Sequence, residues 1–334
     1  MKKNVLIVCV LVLFSITTRS QSVVWPAENV KALSPEWTGE RTPDGRPKVP
    51  DSLLERLKAL SVEEVWAFLS TKGYANQFEN FAGMQENGWE ILHPDKVMTG
   101  RAVTAQFMPS RKDYNDYVQK QAETEGTKTP VTNYAPIIKL LDGDIYVADS
   151  YGKMVDGTLI GDNLGNAIYN ASKRGIVFNG SVRDVEGLLE IEGFNGWIRG
   201  SDPSFIKQMM IAYVNGPIRI GRATVVPGDA VLAKKHGVIF IPAHLLQECV
   251  ISGEYTALSD EFNFFCIQTK RYEYVNEAFV VDQDVFQKDF ENWLSKKKDS
   301  DLPMSRKELN DHIKLIKERR AAREASRNQT GSTN

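Results

Sequence analysis

Between Gly161 and Asp184 the chain reads GDNLGNAIYNASKRGIVFNGSVRD, and its residue types suit a small anionic ligand. Gly161-Asp162-Asn163 stands ahead of a segment in which Leu164, Ile168 and Ala171 recur at helical spacing. The first N–H groups of such a helix lack intrahelical acceptors and point outward, where a carboxylate or phosphate can accept them. Gly180 ends a short apolar run, GIVFNG at 175–180, that reads as a buried strand. Loops leaving strand ends are where layered α/β folds place their sites. Arg183 and Asp184 follow at the predicted start of a helix over 183–191. Arg183 offers a planar fork that fits a carboxylate, and Asp184 offers a hard oxygen ligand for Mg²⁺ or Mn²⁺. By residue type alone the same pair is also read as a solvated surface pair or a helix cap.

The elements that must position these residues alternate in kind. GRAVTAQFM at 100–108 is β-branched and aromatic and predicts a strand, and GDIYVAD at 143–149 alternates and predicts another. Further short strands are expected around Trp197, at 218–220, 223–226, 229–233 and 238–241. Ser61 and Glu64 form a capping box ahead of Val65, Phe68 and Leu69, and Pro242 opens a long helix reaching 258 or beyond. Residues 110–133 are polar and charged and read as a surface excursion. Alternation of strands and helices indicates an α/β layer fold. Residues 22–50, with Trp25-Pro26, Pro35, Trp37, Pro43, Pro47 and Pro50, read as an extended lead-in to a domain over 51–270.

The ends of the chain have their own character. Lys2 and Lys3 precede an apolar run from Val5 to Ile16 and then polar residues to Ser22, the pattern of a secretory signal cleaved near Ser20–Ser22. The run is shorter than the ~20 residues a membrane-spanning helix needs. An exported protein with no stable membrane span is therefore expected. Loss of Lys2, Lys3 and Arg19 would take the formal charge from −2 to −5, which argues against nucleic acid as a general partner. Cys249 and Cys266 would remain, and both fall in a helical stretch, so free buried thiols are expected. The segment 271–334 reads as an extension. Its end, 295–334, carries 11 Lys or Arg against 6 Asp or Glu. Ser305 and Glu308 make a second capping box there, ahead of a thin stripe of Leu309, Ile313 and Ile316. A solvated, partly frayed helix is the expectation.

Together these motifs resemble the RraA-like family, which includes the divalent-metal-dependent 4-hydroxy-4-methyl-2-oxoglutarate aldolases. The family's mark is an Asp, a spacer of twenty residues, then Arg-Asp; here residues 163–182 separate Asp162 from Arg183-Asp184. The flanks are similar too: GRAVTAQFMP, GDIYVAD, WIRG at 197–200, and VVPGDAV followed by GVIFIP. The resemblance runs over roughly 52–270 and implies a β/β/α swivelling-type (phosphohistidine-domain-like) fold with helical extensions at both ends. It further implies a homotrimer or hexamer with sites between subunits. By the resemblance Asp184 binds the metal directly, with water in the other positions. Arg183, Gly161 and the N–H groups of Asn163, Leu164 and Gly165 would hold the carboxylate of a 2-oxo acid, and Asp162 would orient a metal-bound water. A carboxylate from a neighbouring subunit, Glu261 or Asp260 in SDEFNFF, would help take the proton from a 4-hydroxyl, so that a lyase releases pyruvate.

The sequence departs from the family in one charged position. Where the family has PGDxxxxD, the second Asp is replaced here by Lys234. His236 beside it reads as a turn residue, because no second ligand lies at helical or hairpin spacing. Other readings of the same site are a hydratase or isomerase of sugar acids, and a non-catalytic binding protein of the kind that restrains RNase E. The methyltransferase name attached to some members finds no support, since no glycine-rich nucleotide loop follows an early strand.

Overall fold

The computed structural model describes residues 22–80, 89–126 and 131–330. The apolar run at 5–16 and its cleavage zone, Ser22 apart, lie outside the described residues. The strands are β1 (Phe78–Asn80), β2 (Glu90–Ile91), β3 (Met98–Pro109), β4 (Asp144–Asp149), β5 (Ile176–Asn179), β6 (Ser181–Val182), β7 (Gly196–Ile198), β8 (Gly200–Ser201), β9 (Met209–Val214), β10 (Ile218–Ile220), β11 (Ala223–Val225), β12 (Ala230–Lys234), β13 (Gly237–Ile241), β14 (Tyr274–Val275) and β15 (Ala278–Phe279). The main sheet has the order β1-β13-β12-β3-β4-β5-β7-β2, with β9 added to the far half of β3. Its centre, β3-β4-β5-β7, is parallel, and its outer pairs are antiparallel.

The parallel centre explains why these strands are apolar throughout rather than alternating: both faces are covered. Tyr146 and Ala148 of β4, with Ile176 and Phe178 of β5, enter one core beneath the helix Asp162–Ser172. Ile145, Val147 and Val177, one residue out of phase, enter a second core on the opposite face, closed by the β10–β11 hairpin. Along β12 and β13, Leu232 and Ile239 meet the helices Asp51–Leu57, Val62–Thr71 and Leu246–Gln268. The result is a hairpin layer, a sheet and a helical layer, the mixed α/β arrangement expected. Each fully buried large apolar side chain contributes about 1.5–3 kcal/mol to this packing.

Three expectations need correction. Residues 110–133 are not simply an excursion. Lys112–Thr124 is a helix whose Val118 and Ala122 are buried in the first core, with Tyr114 packed against it. Tyr114, Val118 and Ala122 are spaced four apart, a stripe that the surrounding charge obscures. The lead-in is not merely extended. It contains the helix Ala27–Ala32, and its Arg46 is wholly buried, with Nη1 2.9 Å from Asp144 Oδ2. Arg101 Nε lies 3.2 Å from the other Asp144 oxygen, so two guanidiniums enclose one buried carboxylate. The basic end is not simply solvated. The helix Arg306–Thr330 docks on Leu246–Gln268 through Leu309 and Ile313, and Arg56 bonds both Glu254 (2.6 Å) and Glu308 (2.9 Å). Arg319–Glu248 and Lys317–Glu291, each at 2.8 Å, extend that seam.

Both capping boxes form. Glu64 N–H donates to Ser61 Oγ at 3.0 Å and Ser61 N–H to the Glu64 carboxylate at 2.6 Å. Ser305 and Glu308 repeat the exchange. Cys249 and Cys266 are free and buried. Among the described residues no helix is long and apolar enough to cross a membrane.

Candidate functional site

The sequence places Asp162 and Arg183-Asp184 far apart along the chain, and neighbouring parallel strands bring them together. The loop carrying Gly161 leaves the end of β4, and the loop carrying Arg183 follows β5. Beyond the main sheet the two segments pair again. Thr158 bridges Ser181 in parallel, Leu159 N–H donates to the Ser181 carbonyl (2.9 Å), and Arg183 N–H donates to the Ile160 carbonyl (2.9 Å). On its other side β6 pairs with β8. This small parallel patch fixes Gly161 against the Arg183-Asp184 turn.

Two local features set the geometry there. Asp184 has φ 53° and ψ 47°, the left-handed region that non-glycine residues seldom occupy. It stands at the cap of the short helix Val185–Leu189, yet its side chain caps nothing. Its carboxylate instead lies over Gly161, where a Cβ would stand 2.3 Å from Asp184 Oδ2. Gly161 is therefore required by close approach and not by its backbone angles, which are extended (φ −119°, ψ −165°). Strain held at a turn beside such a contact is a feature of ligand sites.

The charged groups are left half-open. Arg183 Nε lies 3.6 Å from Asp184 Oδ2, and the two side chains keep 32% and 42% of their surface. Among the described residues, the terminal nitrogens of Arg183 have no carboxylate or carbonyl partner. At the helix start, Gly165 N–H donates to the Gly161 carbonyl (2.9 Å) and Asn163 N–H to the Asp162 carboxylate (2.7 Å). Of the three N–H groups expected to bind an anion, Leu164's has no acceptor among the described residues. Asp162 itself rests on Gly187, where a Cβ would lie 2.7 Å from its own Cβ.

The remaining candidates fall elsewhere. Glu261 lies on Leu246–Gln268, which packs on the β12–β13 side of the sheet, away from the helix Asp162–Ser172. Its Oε1 is 2.6 Å from Lys297 Nζ, and Lys297 in turn sits 4.4 Å over the Trp293 ring. Asp260 borders a separate groove with Phe264, Tyr274 and Phe279. Within one chain neither carboxylate approaches Arg183, so either could serve only a site on another copy. Lys234 lies at the far end of the sheet: its neighbour Ala233 pairs with Met98, the start of β3, and its Nζ donates to the Leu60 carbonyl. Burial holds its ammonium below the usual lysine range. The charge reversal at this position thus serves the end of a helical segment and leaves the Arg183 region untouched. His236 occupies the β12–β13 turn beside a cavity of about 510 Å³ lined by Trp66, Phe78 and Arg222.

The donor set fits a hard divalent ion. Among the described residues no three His, Cys, Asp or Glu side chains gather as a metal-holding group. A half-exposed carboxylate such as that of Asp184 suits Mg²⁺ or Mn²⁺, which retain waters. Gly161 lies in close approach to that carboxylate, with the position of an added Cβ 2.3 Å from Asp184 Oδ2.

One contributor was missed in the sequence. Phe205, directly after the turn-forming stretch Ser201-Asp202-Pro203-Ser204, places its ring centroid 4.8 Å from the Arg183 guanidinium carbon. The Asp-Pro-Ser punctuation marks a turn, but nothing in the sequence says which cation it covers.

The RraA-like family (Aldolase/RraA) matches residues 66–240, more than half the chain, and the protein belongs to that family. A protein of Arabidopsis thaliana, provisionally named 4-hydroxy-4-methyl-2-oxoglutarate aldolase 3, is 30% identical over 133 residues, spanning 39% of this chain and 69% of its own. Among solved structures, Streptomyces coelicolor RraAS2, described as an unusual member of the RNase ES inhibitor RraA family, is similar with a TM-score of 0.54 and 25% identity. That match covers 65% of this chain and 99% of RraAS2. An uncharacterised protein of Pseudomonas syringae pv. tomato shares the fold at a TM-score of 0.53 and 19% identity, over 69% of this chain and 95% of its own.

Proposed function

We propose that this chain is a divalent-metal-dependent lyase of the class II aldolase type. It cleaves a 4-hydroxy-2-oxo acid, or decarboxylates an oxaloacetate-like acid, and releases pyruvate. The observation that carries this reading is the Arg183 fork, contacting Asp184 through Nε alone and half-open beside that carboxylate, both held against Gly161 at the start of a helix of 11 residues. The provisional name of the Arabidopsis relative supports the same chemistry.

In this reading the terminal nitrogens of Arg183 and the Leu164 N–H bind the substrate's 1-carboxylate. Asp184 holds Mg²⁺ or Mn²⁺, whose charge would stabilise the negative charge that develops on the 2-oxo group. Asp162, fixed by the Asn163 N–H and seated on Gly187, orients water beside that group. Glu261 of a neighbouring copy accepts the 4-hydroxyl proton, which requires a trimer or hexamer closed in a ring. Export of the chain, proposed from residues 2–22, would place the reaction outside the cytoplasm.

The test is pyruvate release from 4-hydroxy-4-methyl-2-oxoglutarate and from oxaloacetate, with Mg²⁺, with Mn²⁺ and with EDTA, beside Asp184→Ala. Activity that is metal-dependent and lost in Asp184→Ala is the expected result. Metal binding without pyruvate would replace the lyase by another sugar-acid reaction, and no metal binding would favour a non-catalytic binding protein.

A further inference from the structure

The connection from β8 to β9 passes over the site and is tied down along its length. Asp156 N–H donates to Ser204 Oγ (2.6 Å), Thr158 Oγ1 to the Ser204 carbonyl (2.5 Å), and Lys207 N–H to the Asp156 carbonyl (2.9 Å). Lys153 Nζ donates to the Lys207 carbonyl (2.7 Å). Ser204 N–H bonds Asp202, and the hydrogen bonds from Ser204 hold that carboxyl below the usual carboxylate range. These bonds fasten 202–207 to 153–158, the segment that leads into Gly161. The ring they hold in place, Phe205, is 61% exposed and contributes little to any core. Its ring meets the guanidinium of Arg183, whose central carbon is 4.8 Å from the ring centroid.

A guanidinium has two kinds of surface. Its faces stack on aromatic rings, and its edge carries the N–H donors that grip a carboxylate in plane. In this protein the Arg183 guanidinium carbon lies over the Phe205 ring, and the Asp184 contact at 3.6 Å lies at Nε, which leaves the terminal nitrogens for a ligand. An arginine with 32% of its side chain exposed would otherwise sample several rotamers and lose that freedom on binding. We infer that Phe205 is a positioning residue: it acts through Arg183, stacking the guanidinium so that its donor edge is set for the substrate carboxylate before the substrate arrives. This inference rests on the reading of Arg183 as the carboxylate-binding group.

Phe205→Leu keeps an apolar side chain but removes the π face, while Phe205→Tyr and Phe205→Trp keep the face. The assay compares KM and kcat for pyruvate release, together with calorimetric binding of pyruvate, in the wild-type protein and these variants. Phe205→Leu is expected to raise KM and weaken pyruvate binding about 3–10-fold, the range for an exposed to partly desolvated cation–π contact. Its kcat and melting temperature should stay at the wild-type values, and Phe205→Tyr should restore KM. Equal KM in Phe205→Leu and wild type would overturn the inference and leave the lyase reading intact. A change in oligomeric mass in Phe205→Leu would also overturn it, by making the ring a subunit contact. Failure of the wild-type protein to bind pyruvate at all would remove the role of Arg183 itself, and both readings with it.

Discussion

Substituting Gly161 by Ala isolates the closest contact in the site. The backbone there is extended (φ −119°, ψ −165°), a conformation any residue adopts, so the change introduces no backbone strain. The new Cβ would stand 2.3 Å from Asp184 Oδ2 and 3.2 Å from Arg183 Cγ and Nε. A relaxed carbon–oxygen contact needs roughly 3.3–3.5 Å, so the carboxylate must retreat by about 1 Å. It can do so cheaply, because the Asp184 side chain keeps 42% of its surface and can swing toward solvent. Stability should therefore fall by less than about 1 kcal/mol. Catalysis should suffer far more: a 1 Å misplacement of a positioned group costs about 10²-fold, or about 2.7 kcal/mol of transition-state stabilisation. The measurement is kcat/KM for pyruvate release across a Mg²⁺ titration, with a thermal melt of the same preparation. A large fall in kcat/KM and a raised Mg²⁺ requirement, with an unchanged melt, is the expected outcome. Wild-type kcat/KM and Mg²⁺ dependence in Gly161→Ala would refute the placement of the metal and substrate around Asp184.

Other consequences follow from the interior. Asp144→Ala leaves the buried guanidiniums of Arg46 and Arg101 without their shared carboxylate, and chemical denaturation should show a loss of about 3–5 kcal/mol. Burial lifts the Asp229 carboxyl from 3.8 to about 7, against a smaller opposing bond from the Val226 N–H. A raised acid binds its proton more tightly folded than unfolded, so this group's stabilisation is whole below about pH 4 and is lost as pH rises through about 7. Asp229→Asn, which stays neutral, should therefore gain on the wild type across that window by an amount of order 4 kcal/mol in pH-dependent denaturation. Burial likewise pushes the Cys249 thiol up to about 12, so it should resist a thiol reagent in the native protein and react only on unfolding.

Much of the fold was legible because it rests on local rules. The strand pattern at 100–108 and 143–149, the capping boxes at Ser61 and Ser305, and the helix after Gly161 are each specified by residues within one turn or one pleat. The strand β9 is not legible in the sequence, since MMIAYV is as compatible with a buried helical turn as with a strand until β3 offers its edge. The helix Lys112–Thr124 is obscured because its charged residues outnumber the three that face the core. Arg46 in a proline-rich lead-in gave no sign of its partner, which lies in β4 and depends on pairing across nearly a hundred residues.

The candidate site divides along the same line. The sequence by itself determined which residue types were present and at what spacing: a glycine before a helix, an arginine fork, a carboxylate suited to a hard ion. Those are covalent and local properties. Only the tertiary structure decided that Gly161 lies beneath Asp184, that Asp184 sits in the left-handed region without capping its helix, and that the Arg183 guanidinium lies over Phe205. It also decided that Lys234 stands at the opposite end of the sheet and that Glu261 lies on the helix packed against β12–β13, paired with Lys297. Each of these depends on the register of parallel strands and on loops that cross between them, and no spacing along one chain encodes the distance between two such loops.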